Sequence, residues 1–192
     1  MKRVFTLLAG LVLCVSPLVL AQPEEAPLGI FTHAATLTDG FAFPEDQSYS
    51  NGAYTIIASG NDVWNNSDGA YYACKEISGS FVVTADFEWN RMVQPEQDFT
   101  AGNEWMKMGI MFRAEADNAA SQHAYAILRR DYGTDLQWRD TAGGSSGDSG
   151  LIAKGATELN TIRLQRSGNT FVAYRKQADG TFKQIGSHTN DT

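Results

Sequence analysis

The sequence predicts an all-β domain made of two packed antiparallel sheets. Short runs rich in Tyr, Phe, Val, Ile and Thr alternate with clusters of Gly, Asn, Asp and Ser, which is typical of a sandwich or barrel. Residues 80–90 alternate with a period of two, placing Phe81, Val83 and Ala85 on one side and Thr84 and Asp86 on the other. No stretch after the first thirty residues keeps a helical period for long.

The same alternation and turn pattern place nine strands along the chain. They are predicted at 52–59, 70–77, 80–90, 105–114, 122–131, 134–141, 160–167, 170–177 and 181–186. The segments "NSDG", "RDYG", "RSGN" and "ADG" supply the Gly or Asn that tight turns need. Residues 141–150, with four glycines, are predicted to form a flexible surface loop.

The first 28 residues are predicted to lie outside the folded domain. Lys2 and Arg3 precede an apolar run that ends at Ala21, which is the layout of a secretory signal peptide over 1–21. Residues 22–28, "QPEEAPL", read as a linker, so 29–192 form one domain. The expected location is therefore secreted, either periplasmic or extracellular, with no stable membrane insertion once the signal peptide is cleaved.

The charge of the chain limits the classes of partner that it can bind, and its cysteine content limits the disulfides that it can form. The 192 residues carry 15 Lys and Arg against 22 Asp and Glu, a net charge of −7. The predicted leader holds two cations and no acid, so the mature chain has a net charge of −9, which argues against nucleic acid or anionic membrane as partner. Cys74 is the one cysteine after the leader, which excludes an internal disulfide, and its apolar setting predicts a buried small side chain.

Catalytic patterns are weak in this chain. Asp86 and Glu88 share a strand face at roughly 6–7 Å, a separation that could suit a glycosidase pair. However, the E-x-D-x-x-E run of laminarinase-type glucanases is not present, since Thr84 and Trp89 take the places of its two glutamates. We therefore assign no catalytic residue, while polysaccharide hydrolysis stays open as an alternative.

Metal-binding patterns are also few. The three histidines have no metal-ligand spacing. Calcium is the one cofactor that stays open, because "SGNDVWNNSDG" offers Asp62 and Asp68 as oxygen ligands, although it does not fit the EF-hand spacing.

Taken in order, the motifs resemble a family of secreted domains with the concanavalin A-like lectin/glucanase fold. That family has no settled activity and is sometimes labelled as regulating enolase. The matching elements are a G-x-D-x-W turn, a W-x-K-x-G-x-M-x-R strand, an S-x-H-A strand, a Q-x-R-x-x-x-G-G strand and an R-x-G-x-x-F hairpin followed by D-G. In this chain they fall on Gly60, Asp62 and Trp64; Trp105, Lys107, Gly109, Met111 and Arg113; Ser121, His123 and Ala124; Gln137, Arg139, Gly143 and Gly144; Arg166, Gly168 and Phe171; and Asp179 and Gly180.

The resemblance covers about residues 50–187 and implies a jelly-roll sandwich. Two positions depart from the family pattern. Ser80 stands in place of the Asp of a G-D-F strand that falls on Gly79 to Phe81, and Leu136 stands in place of the Phe that precedes Gln137 in the Q-x-R strand. Related domains continue past the position of Ile185 with a further strand that completes one sheet. The resemblance thus implies a sandwich that lacks its last strand within this sequence, or one whose open edge is covered in another way.

The strand "EWMKMGIMFR" carries the functional prediction. Its even positions, Met106 to Phe112, form an ordinary core face, while the odd positions combine an indole, cations, a glycine and a thioether. The resemblance implies that this odd face belongs to the concave sheet, where lectins of the fold bind sugar through aromatic stacking and polar side chains. Gly109 would leave a trough there. The candidate glycan-binding residues are Trp105, Lys107, Arg113, His123, Gln137 and Arg139.

One other interpretation of this face stays open, besides polysaccharide hydrolysis. The cations could instead pair with Asp86, Glu88, Asp135 or Asp140 across the sheet, with Trp105 covering a strand end. The protein would then be a structural or protein-interaction domain of the cell envelope. The leading prediction is an exported, non-catalytic, lectin-like carbohydrate-binding domain.

Overall fold

A computed structural model describes residues 3–5, 29–37, 46–58, 60–89, 105–129, 132–153 and 155–190. The described residues form β-strands, turns and bends and contain no helix. No helix in the described part of the chain is long and apolar enough to cross a lipid bilayer. The predicted linker 22–28, and the predicted leader apart from residues 3–5, lie outside the described residues.

Sixteen strands appear in the described ranges. They are β1 (Arg3–Phe5), β2 (His33–Leu37), β3 (Asp46–Ser50), β4 (Ala53–Ile57), β5 (Val63–Trp64), β6 (Ser67–Asp68), β7 (Ala70–Ile77), β8 (Phe81–Asp86), β9 (Lys107–Arg113), β10 (His123–Arg129), β11 (Gly133–Arg139), β12 (Gly147–Asp148), β13 (Ile152–Ala153), β14 (Glu158–Ser167), β15 (Thr170–Gln177) and β16 (Phe182–Thr189). Each of the nine predicted strands overlaps one of them, so the all-β prediction is confirmed.

Two antiparallel sheets make up most of the fold. The larger has the strand order β12-β11-β10-β9-β1-β7-β2, with β13 also pairing with β11, and the smaller has the order β16-β15-β14-β8. Strands β3 and β4 form a separate hairpin, as do β5 and β6. The arrangement is consistent with a β-sandwich.

The main core lies between these two sheets. Ile110, Phe112 and Leu136 from the larger sheet pack with Ile162 and Leu164 from the smaller one, and all five are buried. The alternation predicted for strand 80–90 is confirmed, because Val83 and Ala85 belong to this core, with Phe81 and Phe87 packed against it.

Three local predictions need correction. The alternation in the sequence predicts Met106 in the core, but Met106 precedes β9 and is exposed. The predicted loop 141–150 contains β12, which pairs with β11 where Gly147 lies against the Trp138 indole. A side chain at Gly147 would meet that ring at about 3.0 Å, so glycine allows the approach. The trough expected at Gly109 is filled, because a Cβ there would lie 1.9 Å from the Ala126 carbonyl oxygen.

Cys74 behaves as its sequence setting predicts. It lies on β7 and is fully buried as a free thiol. Burial, together with the charge of Asp117, raises the pKa of Cys74 to about 12, which keeps the thiol protonated.

Candidate functional site

Strands β9, β10 and β11 carry a second set of side chains on the side opposite the core. We call this set the polar face; its members are Lys107, Arg113, His123, Arg129, Asp135, Gln137 and Arg139. Antiparallel register places them in rows, because His123 is paired with both Arg113 and Arg139, and Arg129 is paired with Lys107. The sheet therefore brings together five of the six predicted glycan-binding residues.

The polar face is covered. The hairpin of β5 and β6 lies over it, and Val63 from this hairpin packs with Met111, Tyr125 and Ile127 in a small second core. Of the predicted glycan-binding residues, Arg113, His123, Gln137 and Arg139 are buried, and 8% of the Lys107 side chain is exposed. Trp105, which precedes β9, is the exception, with half of its surface exposed.

Asp68 is the centre of the buried charges. Its carboxylate is fully buried and receives Arg113 Nη1 at 2.5 Å on Oδ2, while Arg139 binds both oxygens, at 2.5 and 2.9 Å. We call Asp68, Arg113 and Arg139 the Asp68 clamp. It joins the covering hairpin to both β9 and β11.

Several other N–H groups of the two guanidinium groups donate hydrogen bonds to backbone oxygens. Arg139 also donates to the carbonyls of Trp64, Asn65, Ala119 and Ser121, at 3.1–3.2 Å. Arg113 Nη2 donates to the Asn118 carbonyl at 2.5 Å. Because one carboxylate offsets only one of the two cations, these oxygens share in holding the second positive charge.

The buried groups around Asp68 shift the pKa values of Asp68 and His123. Burial alone would raise the pKa of Asp68, but the groups of His123, Arg139 and Arg113 around its oxygens outweigh burial and hold the pKa well below its usual range. Burial lowers the pKa of His123, and the nearby Asp68 only partly opposes this. His123 Nδ1 lies 3.4 Å from Asp68 Oδ2, and neither ring nitrogen makes a hydrogen bond within the described residues.

Two further ion pairs lie at the other end of the polar face. Lys107 Nζ contacts Asp62 Oδ1 at 2.7 Å, the Val63 carbonyl at 3.0 Å and Gln137 Oε1 at 3.2 Å. Arg129 and Asp135 form a two-point pair at 2.7 and 3.1 Å. Burial raises the pKa of Asp135 although Arg129 opposes the shift.

Both aspartates that the sequence suggests as calcium ligands take part in ion pairs. Asp62 contacts Lys107, and Asp68 is held by two arginines, so both carboxylates already have cationic partners. The described residues contain no group of three or more His, Cys, Asp or Glu side chains placed to hold a metal ion. Of the four acids expected as partners of the cations, Asp135 fills that role, while Asp140 lies 2.6 Å from His188 and Asp86 accepts from Thr161.

An exposed aromatic group stands at the end of the polar face near Lys107. Trp105 stacks on Tyr132, with ring centroids 5.3 Å apart and planes within 8°, and the Arg129 guanidinium lies 5.4 Å from the indole centroid. We call Trp105, Tyr132 and Arg129 the aromatic edge. The sequence indicates Trp105 but carries no signal for Tyr132, whose place beside a tryptophan depends on the pairing of β9, β10 and β11.

No family model matches the chain, and neither a curated protein nor a solved structure matches it.

Proposed function

We propose that the protein is an exported, non-catalytic, lectin-like carbohydrate-binding domain that contacts sugar at the aromatic edge. The observation that carries the proposal is the half-exposed Trp105 ring, stacked on Tyr132 and backed by Arg129. A flat, exposed aromatic surface suits the apolar face of a pyranose ring. The stack holds the indole in place, which lowers the entropy that binding would otherwise cost.

The charges near the aromatic edge favour an uncharged sugar. Arg129 and Lys107 are each paired with an aspartate, and the predicted mature chain is strongly acidic. Asp62, half exposed beside Lys107, offers carboxylate oxygens that can accept from sugar hydroxyls. The proposed contact is therefore smaller than the six-residue face that the sequence suggested, because the other members are buried.

The proposal includes the jelly-roll type and the concanavalin A-like lectin/glucanase family. Two packed antiparallel sheets and the motif series support it. Export follows from the predicted leader over 1–21, and it makes the periplasm or the cell exterior the proposed location.

A structural or protein-interaction domain is the second candidate. The closed polar face favours it, because the charges of Arg113 and Arg139 are used to hold the β5–β6 hairpin on the sheet. Hydrolysis is a weaker candidate. Asp86 lies on the smaller sheet, where it accepts a hydrogen bond from Thr161.

A glycan array followed by titration calorimetry tests the leading proposal. We expect binding of neutral glycans by the wild type, at least a tenfold loss in Trp105→Ala, and retention of most affinity in Trp105→Phe, which keeps an aromatic ring. Val82→Ala is the matched control, since Val82 is an exposed apolar side chain on the smaller sheet.

Four results would contradict the proposal or redirect it. Absence of glycan binding by the wild type, or equal binding by Trp105→Ala, overturns it. Polysaccharide turnover that disappears in Asp86→Asn or Glu88→Gln would establish the hydrolase instead. Capture of one envelope protein, without competition by polysaccharides, would favour the second candidate.

A further inference from the structure

The hairpin over the polar face carries two side chains on its outer side, Asp62 just before β5 and Trp64 at the end of β5. Val63 stands between them and packs in the small second core, so alternation along the chain places Asp62 and Trp64 on the opposite side. Half of the Asp62 side chain is exposed, and Trp64 is partly exposed. The hairpin therefore presents a carboxylate and an indole side by side near the surface.

Lys107 joins these two side chains to the aromatic edge. Its Nζ lies 2.7 Å from Asp62 Oδ1 and 5.6 Å from the centroid of the Trp64 ring. Trp105 is two residues before Lys107, so their Cα atoms lie within about 7 Å of each other. Because 8% of the Lys107 side chain is exposed, this side chain lies beneath its neighbours. Asp62 and Trp64 are thus close to Trp105, at the same end of the polar face.

The Asp62 carboxylate is held in place and keeps one oxygen for a further donor. Oδ1 accepts hydrogen bonds from Lys107 Nζ and from the Val63 amide, both at 2.7 Å. Oδ2 accepts no hydrogen bond from the residues that the structure describes. A hydroxyl group that donates to Oδ2 forms a charge-assisted hydrogen bond, and the carboxylate loses little freedom because it is already oriented.

We infer that Asp62 and Trp64 form a second sugar-binding subsite beside Trp105. The inference rests on the proposed function and extends its ligand from one ring to two linked, uncharged rings. One ring lies on the Trp105 indole, and the next lies on the Trp64 indole and donates from its hydroxyl groups to Asp62 Oδ2. Rings with equatorial hydroxyl groups fit this arrangement, because their faces are flat and apolar and their donors lie at the rim.

The experiment compares a one-ring probe with a two-ring probe on the full chain. Glucose and cellobiose are suitable, since a β-glucose ring carries all its hydroxyl groups equatorially. Titration followed by NMR of the sugar gives the Kd of each probe, and the ratio of the glucose Kd to the cellobiose Kd is the quantity of interest. We expect a ratio of about ten or more in the wild type, because cellobiose fills both subsites.

Substitutions in the second subsite should remove this advantage of the longer probe. We expect the ratio to fall below about three in Asp62→Ala and in Trp64→Leu, which keeps an apolar side chain without the aromatic ring. Glu76→Ala is the matched control for Asp62→Ala, since it removes an exposed carboxylate on β7, and it should keep the wild-type ratio.

A second measurement keeps the wild-type contacts of Trp64 and applies also if Trp64→Leu does not fold. Incorporation of 5-fluorotryptophan lets fluorine NMR report on each indole separately, with single Trp→Phe variants to assign the resonances. We expect cellobiose to shift the resonances of both Trp64 and Trp105.

The inference is overturned by a wild-type ratio below about three, or by a ratio that stays at about ten in either subsite variant. A Trp64 resonance that does not move when cellobiose binds also overturns it. In each of these cases the wild type still binds sugar, so the proposed function stands. If the wild type binds neither probe, the inference fails, and the proposed function fails with it only when the glycan array also shows no binding.

Discussion

The two faces of β9, β10 and β11 are both buried, but they are buried by different chemistry. On one face Ile110, Phe112 and Leu136 pack against apolar residues of the smaller sheet. On the other face the covering hairpin is held by the Asp68 clamp, with Met111 and Tyr125 packed between the charged groups. When a buried apolar side chain is truncated, the fold loses the stability that the removed atoms contributed and a cavity remains. When one member of a buried ion pair is removed, its partner stays buried as an uncompensated charge.

The largest effect is expected on the polar face, from Asp68→Ala. The change leaves Arg113 and Arg139 as buried cations without their carboxylate, so we expect a loss of about 3–5 kcal/mol in the free energy of unfolding. Urea denaturation followed by tryptophan fluorescence measures it. A loss below about 1 kcal/mol would show that the backbone carbonyls alone can hold both guanidinium groups.

On the apolar face, we expect Ile110→Ala to lower the free energy of unfolding by about 2–5 kcal/mol. Ile110 is buried in the middle of the main core, and the change removes three carbon atoms without disturbing a charge. The same denaturation experiment applies, with Val82→Ala as the exposed control. If Ile110→Ala costs more than Asp68→Ala, the order of the two faces in this comparison is reversed.

Gly109→Ala tests how closely β9 and β10 approach each other. The added methyl group would meet the Ala126 carbonyl, so one strand must shift, and we expect a loss of about 1–3 kcal/mol. Gly79→Ala is a different kind of control, because its φ of 79° makes a side chain strained although space is free there. Unchanged stability in Gly109→Ala would mean that the pairing of β9 with β10 is looser than the structure indicates.

Acid titration examines the polar face without mutation. The folded pKa of Asp68 is depressed, so its contribution is complete above the unfolded pKa of about 3.9 and is lost as pH falls from there toward the folded pKa. Linkage gives a loss of about 1 kcal/mol by pH 3 from this group alone. The comparison is with Asp68→Asn. Between pH 4 and pH 3, the free energy of unfolding of this variant should fall by about 1 kcal/mol less than that of the wild type.

The smallest effect is expected from Asp62→Asn. Asp62 is half exposed, so its pair with Lys107 is screened by water and should contribute about 0.2–1 kcal/mol. Raising the salt concentration should lower the free energy of unfolding of the wild type toward that of Asp62→Asn. A loss in the free energy of unfolding as large as that of Asp68→Ala would show that the Lys107–Asp62 pair stabilises the fold as much as the buried arginine pairs do.

Much of the fold could be predicted because alternation reports directly on the core. Alternation alone places Val83, Ala85, Ile110 and Phe112 in the core, and the structure confirms this. Strands β2 and β3 were missed because the runs "HAATL" and "DQSYS" have little hydrophobic contrast between their two sides.

The covered polar face could not be predicted from period, since alternation separates two faces without saying which one meets water. One signal was present in the sequence. The face that holds Arg113 and Arg139 also holds Met111, Tyr125 and Ile127, and such a mixture of apolar and guanidinium groups is unusual for a surface exposed to solvent. The partner Asp68 lay in a segment that looked like a simple turn, and only tertiary pairing brings it to the two arginines.

The Asp68 clamp also constrains the order of folding. Asp68 is 45 residues from Arg113 and 71 residues from Arg139 along the chain, so closing these contacts requires large loops. Pairing of β9, β10 and β11 brings the two guanidinium groups together, and we expect them to stay hydrated until the β5–β6 hairpin docks. The clamp is therefore expected to form late, so that its loss accelerates unfolding more than it slows refolding.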